Sequence, residues 1–452
     1  MVSATRTRSR SRSGSSGAAP AAGSHAGADA DSERSSVTAV APRLAARSGR
    51  AGGGGGRGSF RWQRLALIEV AAALVLVAWV VGPVVLAVVA PVASVLLSLA
   101  LVRRRGRSLP EWLATVWSFR SRTRRARSWT VPPGTEPGLA PAVECAPALR
   151  TYRFAPGGNR DRRPVGMVGD GGFLTVVLQV ESDTTALRGE RERRPLPLGL
   201  VRDALVVDGI RLESAQVVVH TQPAPAPHLP QDAIAVTNYA RLHVGVTAPA
   251  VRLTWVALKL DPELCPEAVA ARGGGLSGAQ KCVARAAQHL ASRLTGAGFR
   301  VSVLTDEELT AAVATSAGAN PLVTAQAGRT EVPQRRTEES SRSWRCDNGR
   351  HTAYWIRRWP QLGGTGVPLA AVVARLTAVP ALATTFSLTL DGGDRGVGVR
   401  GHLRVTGRTE SELTTARRAL EQTAREARVG LARLDREQLP GVLATLPLGG
   451  VR

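Results

Sequence analysis

The residues able to do chemistry are few in this chain, and they are scattered. His220, His228, His243, His289, His351 and His402 form no HExxH, HxH or i,i+4 pair that would set two imidazoles on one metal. The nearest cluster is Cys346-Asp347 with His351, a set that could serve a thiol or a metal. Cys145, Cys265, Cys282 and Cys346 are the 4 cysteines, too few and too far apart for a disulfide framework or a CxxC zinc knuckle, and they fit a reducing compartment. Only Lys259 and Lys281 are lysines, and neither follows a glycine-rich loop with Ser or Thr after it. A Walker A loop needs such a Lys to reach the β/γ-phosphates, so a P-loop ATPase is excluded.

The glycine-rich stretches read as backbone devices. Gly169-Asp170-Gly171-Gly172 and Asp391-Gly392-Gly393-Asp394 each join two strand patterns, as hairpin turns requiring positive φ do. Gly273-Gly274-Gly275 precedes a helix pattern without GxGxxG spacing and reads as a flexible joint. Trp344, Tyr354, Trp355 and Trp359 lie among Arg345, Arg350, Arg357 and Arg358, a mixture able to stack on single strands or to make a protein contact. Strand alternation puts Tyr354 and Ile356 on one side and Trp355 and Arg357 on the other, which makes half of the set core.

These groups must be carried by elements, and the chain of 452 residues is long enough for two or three domains. It has 59 basic against 35 acidic residues, with the excess concentrated towards the N-terminus. Residues 1–60, rich in Ser, Arg and Gly, bury too little apolar surface to offset ordering and are expected to be a disordered tail. Residues 61–103 read as a transmembrane hairpin: two apolar runs, 65–81 and 84–102, of roughly 26 and 28 Å as helices, broken at Gly82-Pro83. Arg57, Arg61 and Arg64 before it and Arg103, Arg104, Arg105 and Arg107 after it give the positive-inside pattern. The expectation is a plasma-membrane protein with two spans and both termini cytoplasmic. Ala90, Ser94 and Ser98 make a small-residue stripe for helix packing, and Glu69 is an acid about one turn inside the first run.

Residues 104–147 form a basic amphipathic helix and a Pro-rich linker. Ser108-Leu109-Pro110-Glu111 is a capping box, and Trp112, Trp117, Arg120 and Arg124 suit a helix lying on anionic inner-leaflet lipid; docking on the protein's own body is the competing reading. From 148 the pattern is α+β, in halves 148–322 and 323–452. Each half reads strand, helix, strand, strand, helix, strand, a ferredoxin-like βαββαβ order. Repeated punctuation supports the duplication: capping boxes at Ser277 and Thr305 in the first half, and Thr409 and Asp435 at the matching places in the second.

Four stretches give a family resemblance: Ser108-Leu109-Pro110-Glu111-Trp112-Leu113, Pro164-Val165-Gly166-Met167-Val168-Gly169-Asp170-Gly171, Leu258-Lys259-Leu260-Asp261-Pro262-Glu263-Leu264-Cys265 and Ser343-Trp344-Arg345-Cys346-Asp347. Together with the element order, the chain from about Arg61 resembles the EccE family of actinobacterial type VII secretion membrane components. The resemblance implies a non-enzymatic structural subunit beside a separate motor ATPase and other membrane subunits, with no catalytic residues, cofactor, metal, nucleic acid or small-molecule substrate. The alternative from a different class is a membrane-anchored glycosyltransferase-like enzyme.

Overall fold

The computed structural model describes residues 57–101, 103–104, 107–155, 163–182, 195–222, 234, 237–238, 251–328, 334–363, 366–393 and 396–451. Of the expected tail 1–60, residues 1–56 lie outside them, as does Arg105, while 57–60 begin the first helix.

Two helices come first, α1 (Arg57–Val81) and α2 (Pro83–Leu101), hinged at Gly82. Gly82 takes φ 140°, which an L side chain rarely adopts, and Pro83 supplies the fixed φ that starts a helix. The transmembrane hairpin is corrected here, because no helix among the described residues is long and apolar enough to cross a membrane. The expectation counted the apolar run in the sequence from 65. The 25 residues of α1 include Arg57, Arg61 and Arg64 in its first turns, so the helix is continuously apolar only over its later part. The two helices pack through Ala71, Ala78 and Ala93, while Leu76, Trp79, Val80 and Val84 are exposed.

The short strands β1 (Arg103–Arg104) and β2 (Arg107–Ser108) pair and lead into α3 (Leu109–Ser128). Beyond a Pro-rich connection come α4 (Ala140–Cys145), β3 (Arg150–Phe154), β4 (Val165–Gly169), β5 (Leu174–Ser182) and α5 (Leu198–Asp203). A small hairpin, β6 (Val206–Val207) and β7 (Ile210–Arg211), precedes β8 (Ser214–Gln222) and β9 (Val251–Leu260). Then follow α6 (Pro266–Ala270), α7 (Gly275–Gly296), β10 (Phe299–Val303), α8 (Asp306–Ala317) and α9 (Pro321–Ala327). The second half holds β11 (Thr337–Glu339), β12 (Trp344–Cys346), β13 (Gly349–Arg358), α10 (Leu369–Thr377), β14 (Ala383–Gly393), β15 (Gly396–Gly407), α11 (Glu410–Glu426), β16 (Gly430–Arg433) and α12 (Gln438–Leu443).

Among the described residues twelve strands form one sheet in the order β11-β12-β13-β15-β14-β8-β9-β5-β4-β3, with β10 beside β5 and β16 beside β13. The order β10-β5-β9-β8 in one half recurs as β16-β13-β15-β14 in the other, every neighbouring pair antiparallel, which is the split βαβ arrangement twice over. The halves meet where β8 pairs antiparallel with β14, from Thr221↔Thr384 to Ser214↔Asp391.

Period-two alternation divides the strands between two cores. Val217, Val219, Val256, Leu258, Leu403 and Val405 pack under α5, α6, α7, α10 and α11. Val177, Val218, Trp255 and Ala257 face the opposite layer of α4, α8 and α12. Both faces are covered, so the central strands read as nearly continuous apolar runs. The helix punctuation is partly as expected. Thr305 and Glu308 form the capping box of α8, and the Thr409 hydroxyl accepts from the Glu412 N–H. Ser277 is instead an interior residue of α7, which starts at Gly275, and no side chain caps α12.

Candidate functional site

The cluster nominated for thiol or metal chemistry is taken apart by the fold. Asp347 accepts from Arg336 Nε at 2.9 Å and Nη2 at 2.7 Å and from the Asn320 N–H at 2.7 Å. Arg336 also donates to the Pro137 carbonyl and the Thr324 hydroxyl, while Glu144 accepts from the Arg336 and Thr337 N–H groups and the Thr337 hydroxyl. The result is a buried polar clasp holding α4, α9, β11 and β12 together. Burial pushes the Cys346 and Cys145 thiols up, away from reactive thiolate. His351 turns away from Asp347, its Nδ1 2.9 Å from the Thr406 hydroxyl and its ring 5.0 Å from Trp344. No group of three or more metal-ligating side chains is present among the described residues.

A second buried polar set was not foreseen. His220 on β8, Thr385 on β14 and Arg404 on β15 stand opposite one another across three neighbouring strands. Arg404, 1% exposed, donates to the Ser316 carbonyl and to the Thr385 hydroxyl at 3.3 Å; His220 Nδ1 is 2.8 Å from that hydroxyl. The Gln222 amide donates to His220 Nε2 at 3.0 Å, so the neutral ring carries its proton on Nδ1 and donates it to the Thr385 hydroxyl. Burial first, then the Arg404 charge, pushes the His220 pKa down to about 3 and holds His351 well below the usual imidazole range. Burial also lowers Arg404 to about 10. The sequence signal for this row was the alternation of Leu403, Arg404, Val405 and Thr406, which puts Arg404 on the face opposite Leu403; its burial depends on α8 covering that face.

The glycine loops are turns. The Asp170 carboxylate accepts from the Gly172 N–H at 2.9 Å, and Asp391 is gripped by Arg400 through Nε at 2.7 Å and Nη2 at 2.5 Å. Asp394 lies outside the described residues.

The helix α3 has two faces. On one, Arg122 binds Glu339 at 3.0 Å and the Arg436 carbonyl at 2.7 Å, Arg335 donates to the Ala126 carbonyl, and the Arg436 guanidinium lies 5.5 Å from the Trp112 ring centre. The other exposes Leu113, Trp117 (75%), Arg120, Arg124 and Arg127, which the 3.6-residue repeat sets on one line. Body contact and a free basic face coexist on one helix, so Trp112 is separated from Trp117, Arg120 and Arg124. Arg103 and Arg104 form β1, though their side chains, like that of Ser98, are outside the described residues. Glu69, Ala90 and Ser94 are exposed, and the packing between α1 and α2 runs through other alanines.

The aromatic and arginine mixture also divides. Trp344 and Tyr354 are core, with the Tyr354 hydroxyl donating to Glu421 at 2.9 Å. Arg345 pairs with Glu338, and Arg350 lies 3.8 Å from Glu410. Trp359 is half-buried, edge-on to Phe386 at 6.4 Å, beside the exposed Arg357 and Arg358.

Residues 248–356, running from β9 through β13 across the junction of the halves, match the family model "Putative type VII ESX secretion system translocon, EccE". No curated protein matches the chain. Among solved structures, an alkyldihydroxyacetonephosphate synthase is similar at 6% identity and a TM-score of 0.23, over 58% of this chain and 41% of that one, a likeness too slight to inform the fold. The chain thus spans less than half of that protein's length. The resemblance read from the sequence is borne out by the family match, which covers residues 248–356.

Proposed function

We propose that this protein is a non-enzymatic structural component of a type VII secretion translocon, held at an anionic membrane surface, where it contacts other translocon subunits and works beside a separate motor ATPase. The observation that carries the reading is the EccE match over the segment that joins the two halves. The side chains agree with a scaffold. Three acids of the body are committed to internal clasps: Asp347 to Arg336, Asp391 to Arg400, and Glu144 to two backbone N–H groups and a hydroxyl. Asp391 held by Arg400 gives no support to nucleotide-sugar transfer. The apolar outer side of α1 and α2, followed by the basic outer face of α3, supplies the membrane-facing chemistry.

The test is purification of the tagged chain at native expression in mild detergent, then native-gel sizing and identification of the proteins that co-migrate. The expected result is a large assembly containing a P-loop ATPase and multi-span proteins. A chain migrating alone would sink the proposal.

A further inference from the structure

The two halves share one architecture, so a feature present in one and missing from the other stands out from the fold itself. At the corner where α11 runs into β16 and meets the end of β13, a groove of about 490 Å³ is lined by Arg358, Trp359, Gln361, Arg425 and Arg428 with Val429 and Gly430 at its base. No acidic residue lines it among the described residues. Arg358, Arg425 and Arg428 are exposed, and none pairs with a carboxylate among the described residues; the one bond among them is from Arg425 Nε to the Glu421 carbonyl.

The corresponding corner of the first half lies where α7 runs into β10 and meets the end of β5. Arg358 stands opposite Gly430 as Ser182 stands opposite Phe299. Arg425 is the penultimate residue of α11, and Thr295 is the penultimate residue of α7. Arg428 follows α11 by two positions at φ 56°, where Gly298 follows α7 by two positions at φ 85°. All three arginines therefore replace uncharged residues of the other half. Arg428 does so in a left-handed conformation for which glycine is suited, so the backbone gains nothing from the side chain. The fold needs the turn; the guanidinium serves something else.

We propose that this groove docks an extended acidic segment of a partner protein. The three guanidiniums supply forked donors for carboxylates, Trp359 an aromatic flank, and Arg and Trp are the residue types that dominate contact energies at protein interfaces. The edge strand β16 pairs with β13 on one side and with no strand on the other among the described residues, leaving main-chain groups to receive an added strand. An open groove rather than a closed cavity suits a polypeptide. Every second side chain of such a strand would fall on the arginines.

The test is fluorescence anisotropy on the purified full chain, with a dye-labelled peptide of alternating Glu and Val as probe and the matching Lys and Val peptide and dye-labelled oligo-dT as comparators. The Glu peptide is expected to bind in preference to both. Grafting the first half's residues onto the corner, as R358S, R425T and R428G together, should weaken that binding at least about tenfold. R428G alone should weaken it with no loss of thermal stability, because glycine is the residue the turn favours. Absence of Glu-peptide binding, equal binding of the Lys peptide, or a graft that binds as the parent does would overturn the proposal. Preferential, arginine-dependent binding of oligo-dT would overturn it in favour of nucleic acid.

Discussion

Arg404 is a cation enclosed by the sheet and α8 with Nε and Nη1 unpartnered among the described residues, and its neighbours His220 and His351 are held neutral beside it. An imidazole refused a proton in the folded state but free to take one when unfolded makes stability depend on pH. The histidine contribution is intact above the ordinary pKa near 6.5 and declines as pH falls towards the folded values, about 3 for His220 and about 4 for His402. The melting temperature should therefore fall between pH 7 and pH 5, above the range in which carboxylates titrate, and H220Q should show a shallower fall. A flat profile across that window would contradict the assigned burial. Glu144 allows a sharper residue-scale test. Its replacement in E144A strands two buried N–H groups and a hydroxyl, at about 1–3 kcal/mol for each unsatisfied group, so urea denaturation should show a loss of several kcal/mol. Neither network could be read from composition. The sequence shows Arg404 and Glu144 only as charged residues in ordinary apolar surroundings, and their partners lie far away in the chain.

At the scale of elements, legibility follows how local the determinant is. The α8 start was readable because Thr305 and Glu308 satisfy each other within one turn, and T305A should cost about 1 kcal/mol in chemical denaturation. The Ser277 and Asp435 signals misled because other demands took those residues. A glycine at φ 68°, Gly274, starts α7 earlier, and Asp435 binds Arg433 at 2.6 Å. The strands β3, β11 and β12 were missed altogether; they are short, carry polar residues, and are fixed by pairing at the sheet ends. One close approach explains a quoted family stretch: a Cβ at Gly166 would sit 2.5 Å from the backbone where α8 begins, so G166A should destabilise by forcing β4 and α8 apart. The two faces of α3 also make a prediction. Each arginine near an anionic bilayer contributes about 1 kcal/mol, so R120Q with R124Q should weaken binding to phosphatidylglycerol vesicles about tenfold or more. Co-sedimentation should decline with salt and vanish on phosphatidylcholine. Unchanged sedimentation of the variant would remove α3 from the membrane contact.

For the whole molecule, the repeat was visible because long helix, strand and helix recur in the same order in both halves; the join was not, because strand register between distant segments leaves no local trace. The structure makes that join twice. One join is the central pairing of β8 with β14. The other is the chain after α12, which leaves the second half and lies across the first: the Thr175 hydroxyl donates to the Leu448 carbonyl, the Ser214 hydroxyl to the Gly449 carbonyl, and the Gly449 N–H to Gln216, whose amide also reaches the Ala444 carbonyl. Leu446 and Leu448 are buried in the same core as Val177 and Trp255 of the first half. A strap contributed by one half and seated on the other makes their stabilities interdependent. Far-UV circular dichroism and tryptophan fluorescence should then report one coincident transition for residues of both halves. Deleting 444–452 strips the Thr175 and Ser214 hydroxyls of these partners, leaves Gln216 only its bond to Ser387, and opens the core beneath β8 and β9. The truncated chain should lose the coincidence of the two probes, its first half melting at lower denaturant than its second. Retention of a single unshifted transition would show that the β8–β14 pairing alone couples the halves.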